Sequence, residues 1–186
     1  MVPNIITGIR VVLIVPILYC IAAENFRGAA LLFLIAVTSD ALDGQAARRL
    51  GQESVFGGLF DLTADRIIMT PSLLFITVKG LLGPAAAYYP FAPWTYTAII
   101  LVADATTIAG IIMFSRMRRR DPTVEFPSPP PVAKAAYPFQ TLAVLVALLQ
   151  LSPAVVAACM YAGAATTVAA FVVYMKKGGF VFKEGI

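Results

Sequence analysis

The sequence has no histidine and only two cysteines. The first absence removes the commonest general base near neutral pH and the commonest nitrogen ligand for zinc. Cys20 and Cys159 both lie inside apolar runs and form no CxxC pair, which excludes a thiolate metal site and a disulfide framework. Charge is scarce as well. Asp, Glu, Lys and Arg together make up 13% of the chain, against about a quarter in an ordinary soluble domain. Hydrophobic residues make up 60%, and apolar runs of about 20 residues recur, enough for a helix to cross the hydrocarbon of a bilayer. The expected fold is all-α: a polytopic membrane protein of six transmembrane helices in a single domain over residues 1–186.

The spans are expected near 5–23, 29–50, 55–78, 94–117, 132–151 and 153–175. Arg10 interrupts the opening stretch and no small-residue cleavage site precedes a polar domain, so this stretch reads as part of the first span rather than a removable leader. The segment 121–131 holds five of the thirteen prolines and is expected to run extended over the surface. The segment 80–93, rich in Gly, Pro and Tyr, reads as a loop at headgroup level.

Orientation follows from the cations. Placing both termini, the 2–3 turn and the 4–5 loop on one side gathers Arg10, Arg48, Arg49, Arg66, Arg116, Arg118, Arg119, Arg120, Lys134, Lys176, Lys177 and Lys183 there. Only Arg27 and Lys79 remain opposite, so the crowded side is the cytosolic one. The net charge of +4 then reports topology and contact with anionic lipid, not nucleic acid.

Against this apolar background four aspartates fall within 26 positions: Asp40, Asp43, Asp61 and Asp65. Spacings of three and four place each pair one turn apart on a helix face. A short turn near Gly51–Ser54 would make the two helices antiparallel neighbours, with all four carboxylates meeting at the cytosolic end. Such a concentration of negative charge at the membrane boundary is costly unless something positive sits within it. Arg48 and Arg66 are near enough to neutralise part of it. A hard divalent cation accounts for an all-oxygen ligand set better, and Mg²⁺ or Mn²⁺ suits a phosphate site. Gly44, Ala47 and Gly57 are interleaved with the acids, leaving room for a ligand to approach the backbone. Arg48 is placed to fork onto a phosphate or carboxylate. Asp104 stands in mid-span, where a carboxylate is expensive; it is expected either to pair with the hydroxyl of Thr106 or Thr107 or to line a cavity. The run Arg116–Arg120 reads first as positive-inside charge.

Taken together, Asp40, Asp43, Gly44, Ala47, Arg48, Gly57, Asp61 and Asp65 form the pattern D-x2-D-G-x2-A-R-x8-G-x3-D-x3-D. This resembles the signature of the CDP-alcohol phosphotransferase family. Pro3, Asn4, Thr7 and Arg10 are similar to the opening of its phosphatidylglycerophosphate synthase and CDP-diacylglycerol-dependent cardiolipin synthase branch. The resemblance implies an integral phosphatidyltransferase of the cytoplasmic (inner) membrane, its site facing the cytosol. It would move the phosphatidyl group of CDP-diacylglycerol to a small alcohol in phospholipid synthesis and release CMP. Glycerol 3-phosphate is the first acceptor implied; phosphatidylglycerol, inositol phosphate or serine are alternatives. It further implies two metal ions held by Asp40, Asp43 and Asp61, with Asp65 as general base and further metal contact, and a homodimer. Gly44, Ala47, Arg48 and Gly57 would border the nucleotide, Thr7 and Arg10 the substrate phosphates, and Lys134 the acceptor. Two departures stand out. The branch's Gly-Lys-x-Lys-Thr segment is Ala133, Lys134, Ala135, Ala136 and Tyr137 here, followed by Gln140, and its Arg-Glu pair is Asp104-Ala105. Both reduce positive charge where an anionic acceptor would bind. Two other readings of the acids are a cation transporter and an inactive scaffold.

Overall fold

The computed structural model describes the backbone of residues 2–49, 55–88, 93–120 and 131–184. Within those helices the side chains at 2–11, 40–49, 55–65, 111, 114, 115, 118–120, 131, 133, 134 and 177–184 lie outside the description. Among the described residues there are six α-helices and no strand. They are α1 (Val2–Ala22), α2 (Phe26–Arg49), α3 (Val55–Val78), α4 (Pro93–Arg120), α5 (Pro131–Leu148) and α6 (Pro153–Glu184), with a short 3-10 turn at Gly83–Ala87. The 3-10 turn lies in a segment expected to be loop. Helix α5 stops earlier than expected and α6 runs further.

The helix ends have local chemical causes. Helix α1 ends where Glu24 adopts φ 61°. There the N–H of Asn25 donates to Cys20 O at 2.9 Å and that of Glu24 to Ile21 O at 3.1 Å, a Schellman closure that satisfies the last carbonyls. The same pair of bonds closes α3 at Gly80 (φ 75°) and α5 at Gln150 (φ 51°). At Gly80 the left-handed turn carries no Cβ penalty; at Glu24 and Gln150 it does. Asn25 then caps α2, its Oδ1 accepting from the Gly28 N–H at 3.0 Å.

The chain divides into two compact units: residues 1–84 with 144–153, and residues 85–143 with 154–186. In the first unit α1 packs on both α2 and α3. Ile17 and Ile21 of α1, Ala29, Ala30, Phe33 and Ala36 of α2, and Ile68, Met69, Ser72, Leu73 and Ile76 of α3 are buried. The alanines of α2 let the helices approach closely, which is how helices associate where the surroundings are apolar too. In the second unit Tyr96, Thr97, Ile100 and Asp104 of α4, Ala136, Gln140 and Ala143 of α5, and Ala157, Met160, Ala164, Thr167 and Ala170 of α6 are buried.

The opposite faces carry large apolar side chains in the open: Val12, Val15 and Tyr19 on α1, Leu31, Leu34 and Ile35 on α2, Val102 and Ile112 on α4, Val168 and Val172 on α6. Among the described residues one segment, Pro153–Lys176, is long and apolar enough to cross a membrane. Val12–Ala22, Phe26–Ser39, Arg66–Val78 and Ala135–Leu148 are apolar but shorter.

Candidate functional site

Asp40 and Asp43 lie in the last turns of α2, and Asp61 and Asp65 in the first turns of α3. The side chains of all four lie outside the described residues, as do those of Thr7, Arg10, Gly44, Ala47, Arg48, Gly57 and Lys134. The turn at 50–54 lies outside them as well. What the structure supplies is the register of the helices that carry these positions.

That register can be followed from buried residues. Phe33 and Ala36 mark the inward stripe of α2. Seven residues, or two turns, beyond Phe33 is Asp40; four and seven beyond Asp40 are Gly44 and Ala47. The stripe therefore passes through Asp40, Gly44 and Ala47, with Asp43 and Arg48 on its two margins. On α3 the buried arc holds Ile68, Met69, Ser72 and Ile76. Seven before Ser72 is Asp65 and seven before Ile68 is Asp61, so both aspartate positions continue that arc. Gly57 falls at its edge. The inward stripes of two helices of one unit thus both run into aspartate positions.

On α1 the inward residues are Ile17 and Ile21, and Arg10 is seven before Ile17. Thr7 falls to the side of that stripe. On α5 the buried Ala136, Gln140 and Ala143 project back through position 133, and Lys134 falls well off the stripe. The two residues joined by resemblance as phosphate contacts, and the one assigned to the acceptor, thus hold different positions relative to their helices' interiors.

Asp104 is 4% exposed on the buried stripe of α4. Thr106 does not pair with it through its hydroxyl, which donates to Ala103 O at 2.9 Å; that of Thr107 donates to the same carbonyl at 2.7 Å. A threonine carries one hydroxyl proton, so neither has a second to give the carboxylate. The groove found in the second unit, about 340 Å³, is lined by Thr95, Ala98, Ile99, Val102, Ala103, Thr167, Val168 and Phe171; Asp104 is not part of its lining.

A polar node that sequence reasoning missed lies between α5 and α6. Gln140 Nε2 donates to Thr167 Oγ1 at 2.7 Å, and that hydroxyl donates to Gly163 O at 2.6 Å. The Tyr96 hydroxyl oxygen lies 2.8 Å from where a Cβ on Gly163 would stand. Gln140 was visible in the sequence as a polar residue in an apolar helix; its partner 27 positions away was not.

The donor set can be judged by its chemistry. The aspartates offer only hard oxygen ligands, from adjacent turns of two helices, and this fits Mg²⁺ or Mn²⁺ rather than a soft ion. Among the described residues no group of three or more His, Cys, Asp or Glu gathers.

The profile of the CDP-alcohol phosphatidyltransferase family matches residues 1–175. The chain is 31% identical over 126 residues to the CDP-diacylglycerol--glycerol-3-phosphate 3-phosphatidyltransferase of Aquifex aeolicus (strain VF5), which covers 66% of this chain and 65% of that one. The protein of the same name from Pseudomonas fluorescens is 35% identical over 78 residues, 40% of each chain. That from Escherichia coli (strain K12) is 33% identical over 79 residues, 41% of this chain and 43% of that one. Each match spans less than two thirds of the relative's length. No solved structure matches. The match extends from α1 through both aspartate-bearing helices and into α6, and this chain belongs to the CDP-alcohol phosphatidyltransferase family.

Proposed function

We propose that this chain is an integral membrane phosphatidyltransferase that transfers the phosphatidyl group of CDP-diacylglycerol to glycerol 3-phosphate, forming phosphatidylglycerophosphate and releasing CMP. The observation that carries the reading is the register argument: the buried stripes of α2 and α3 in one unit continue into Asp40, Asp61 and Asp65, with Asp43 beside them. The names of the relatives above support the choice of acceptor. Those relatives are transferases, which leaves the transporter reading of the acids without support.

Asp40, Asp43 and Asp61, with Asp65 as a further contact, are the residues that would hold Mg²⁺ or Mn²⁺. When bound, the metal neutralises the pyrophosphate and makes its β-phosphorus more electrophilic. Asp65 takes the proton of the acceptor hydroxyl. The acceptor oxygen then bonds to the β-phosphorus in line, the bond from that phosphorus to the bridging oxygen breaks, and CMP leaves with the electron pair. Gly44, Ala47 and Gly57 leave space for the cytidine and its phosphates, and Arg48 supports that edge. Lys134 draws in the anionic acceptor.

The same reading takes residues 1–186 as one domain of six membrane spans, with the site at the cytosolic face of the inner membrane and two copies forming a homodimer. The exposed apolar faces of α1, α2, α4 and α6 favour the membrane reading, because contiguous surface of this kind is rare on soluble monomers.

The test is CMP release from the purified protein given Mg²⁺ or Mn²⁺, CDP-diacylglycerol and, in turn, glycerol 3-phosphate, phosphatidylglycerol, inositol phosphate and serine. Release with glycerol 3-phosphate, abolished by chelator and restored by metal, is expected. Silence with every acceptor, or undiminished release from Asp65→Asn, would end the proposal.

A further inference from the structure

We infer that α3 is hinged at Pro71–Ser72. During each turnover its cytosolic part, which carries positions 61 and 65, moves against an external part fastened to α1 and α2, and the buried Ser72 hydroxyl is the donor that the second bend uses. The inference rests on the phosphatidyl-transfer reading and adds a moving part to it.

The first observation is a pair of interruptions at one depth. Pro16 lies inside α1 and Pro71 inside α3, and neither has an N–H to give the carbonyl four residues earlier. Those carbonyls belong to Val12 and Ile67, both exposed. Helices α1 and α3 pack together, and their external ends are tied at one level: Lys79 Nζ, just past the end of α3, donates to Ala22 O at 3.0 Å, and Asn25 caps α2 three residues after α1 ends. Measured from that level at 1.5 Å per residue, Pro16 lies about 9 Å along α1 and Pro71 about 12 Å along α3, closer than one helical turn. Two packed helices that each lose a backbone bond at the same depth can bend there without one holding the other straight.

The second observation is what the bend separates. External to it, Ile17 and Ile21 of α1 and Leu73 and Ile76 of α3 are fully buried, and the Lys79 tie closes the end. On the cytosolic side the same helix carries the aspartate positions. A fastened part and the part that does the chemistry thus meet at Pro71.

The third observation is an unspent donor. Helical serine and threonine usually turn the hydroxyl back to a carbonyl three or four residues earlier, and Thr38, Thr77 and Thr166 do so at 2.7, 2.8 and 2.6 Å. Ser72, the residue after the proline, is fully buried, and its hydroxyl has no hydrogen-bond partner among the described residues. A hydroxyl shut away from water without a partner raises the free energy of the state that holds it. A change of bend at Pro71 shifts the carbonyls of Ile67 and Ile68 relative to that hydroxyl. One bond gained to either favours the second bend by about fivefold in population.

The step this serves is exchange of the lipid. CDP-diacylglycerol reaches the acids sideways through hydrocarbon, whereas free CDP reaches them from water, so a movement that parts the helices matters to the lipid alone. Full-length protein in detergent tests this through CMP release, the unfolding midpoint and equilibrium binding of CDP with Mn²⁺. Ser72→Ala removes the unspent donor: the midpoint is expected to rise by about 2–4 °C, kcat/KM for CDP-diacylglycerol to fall about fivefold, and CDP affinity to stay within about twofold. Pro71→Ala returns a partner to the Ile67 carbonyl and should move all three readings the same way. Ser72→Ala protein with kcat/KM within about twofold of wild type, or with a lowered midpoint, would overturn the hinge while leaving the transferase reading intact. Wild-type protein that releases no CMP with any acceptor would overturn both.

Discussion

The two compact units put their polarity in different places. In the first, the described interior is almost wholly apolar, from Ile17 and Phe33 to Ile76, and the ionic residues collect at one end, where α2 finishes and α3 begins. In the second, the polarity is in the middle: Tyr96, Asp104, Gln140 and Thr167 are buried between turns of Ala, Ile and Met. The difference separates two uses of polar groups in an apolar surrounding. Clustered like charges with small neighbours are expensive and call for a cation and a ligand. A pair of polar side chains bonded across two helices, as Gln140 and Thr167 are, holds them together at modest gain. The clustered acids of the first unit are accordingly assigned the chemistry and the buried Gln140–Thr167 pair of the second a scaffold role, and that division can be attacked one substitution at a time.

The largest effect is expected at Asp65. Asp65→Asn removes the base while nearly preserving shape, and CMP release should fall by about a hundredfold or more, with CDP binding in Mn²⁺ weakened much less. Asp40→Ala and Asp61→Ala should cost turnover on the same scale but also abolish the metal dependence of CDP binding. If any of the three left turnover within a few fold of wild type, the assignment of chemistry to the first unit would fail.

Next comes Gly163→Ala in the second unit. Its new Cβ would stand 2.8 Å from the Tyr96 hydroxyl oxygen, in a fully buried site, while the next contacts, at 3.5 and 3.6 Å, are ordinary. Overpacking of this kind costs about 1–3 kcal/mol, read as a lower unfolding midpoint in detergent. Tyr96→Phe deletes the clashing atom, so the double variant should recover stability relative to the sum of the single changes. An additive result would mean that the close approach does not set the helix spacing.

Thr167→Val is expected to be milder. It keeps the volume, removes the acceptor of the Gln140 amide and frees the Gly163 carbonyl. Interhelical bonds in membranes average below 1 kcal/mol, reaching about 1.7, so a loss of about 1 kcal/mol in stability with turnover per folded molecule unchanged is the outcome that sharpens the comparison. A hundredfold loss of turnover would instead make the Gln140–Thr167 pair part of the site.

How far the sequence anticipates this picture depends on the range over which each feature is encoded. The pattern predicts a helix at 55–78 and α3 is observed at Val55–Val78, because Gly80 and the end of the apolar run both act within a few residues. The apolar run predicts that α5 extends to 151, but it ends at Leu148: Gln150 takes a left-handed φ that nothing in its side chain announces. The aspartate spacing was legible because it repeats within single helices. The expected turn between those helices falls at 50–54, outside the described residues. The Gln140–Thr167 bond and the Lys79–Ala22 bond link residues far apart in sequence, and periodicity within one helix carries no information about which face of another it meets. Asp104 shows the same limit from the other side: Thr106 and Thr107 lay near in sequence, but their hydroxyls turn back to the Ala103 carbonyl, the usual habit of threonine in a helix.

The smallest effect is expected at the tie that sets the common level of α1, α2 and α3. Lys79 Nζ donates to Ala22 O at 3.0 Å and lies 3.5 Å from Glu24 Oε1, with Lys79 about one-third and Glu24 mostly exposed. Solvent screens such a pair, so Glu24→Gln should cost no more than a few tenths of a kcal/mol and Lys79→Met at most about 1 kcal/mol. The carbonyl contact is the larger part, because a cation beside the C-terminal end of α1 also meets the helix dipole. Raising salt toward 1 M should therefore erase most of the Glu24→Gln difference and leave part of the Lys79→Met difference. If Lys79→Met also weakened CDP binding, the tie at the far end would be setting the level of α2 against α3. If binding stayed unchanged while stability fell, the packing of Ile17, Phe33 and Ile76 would be holding that level without it.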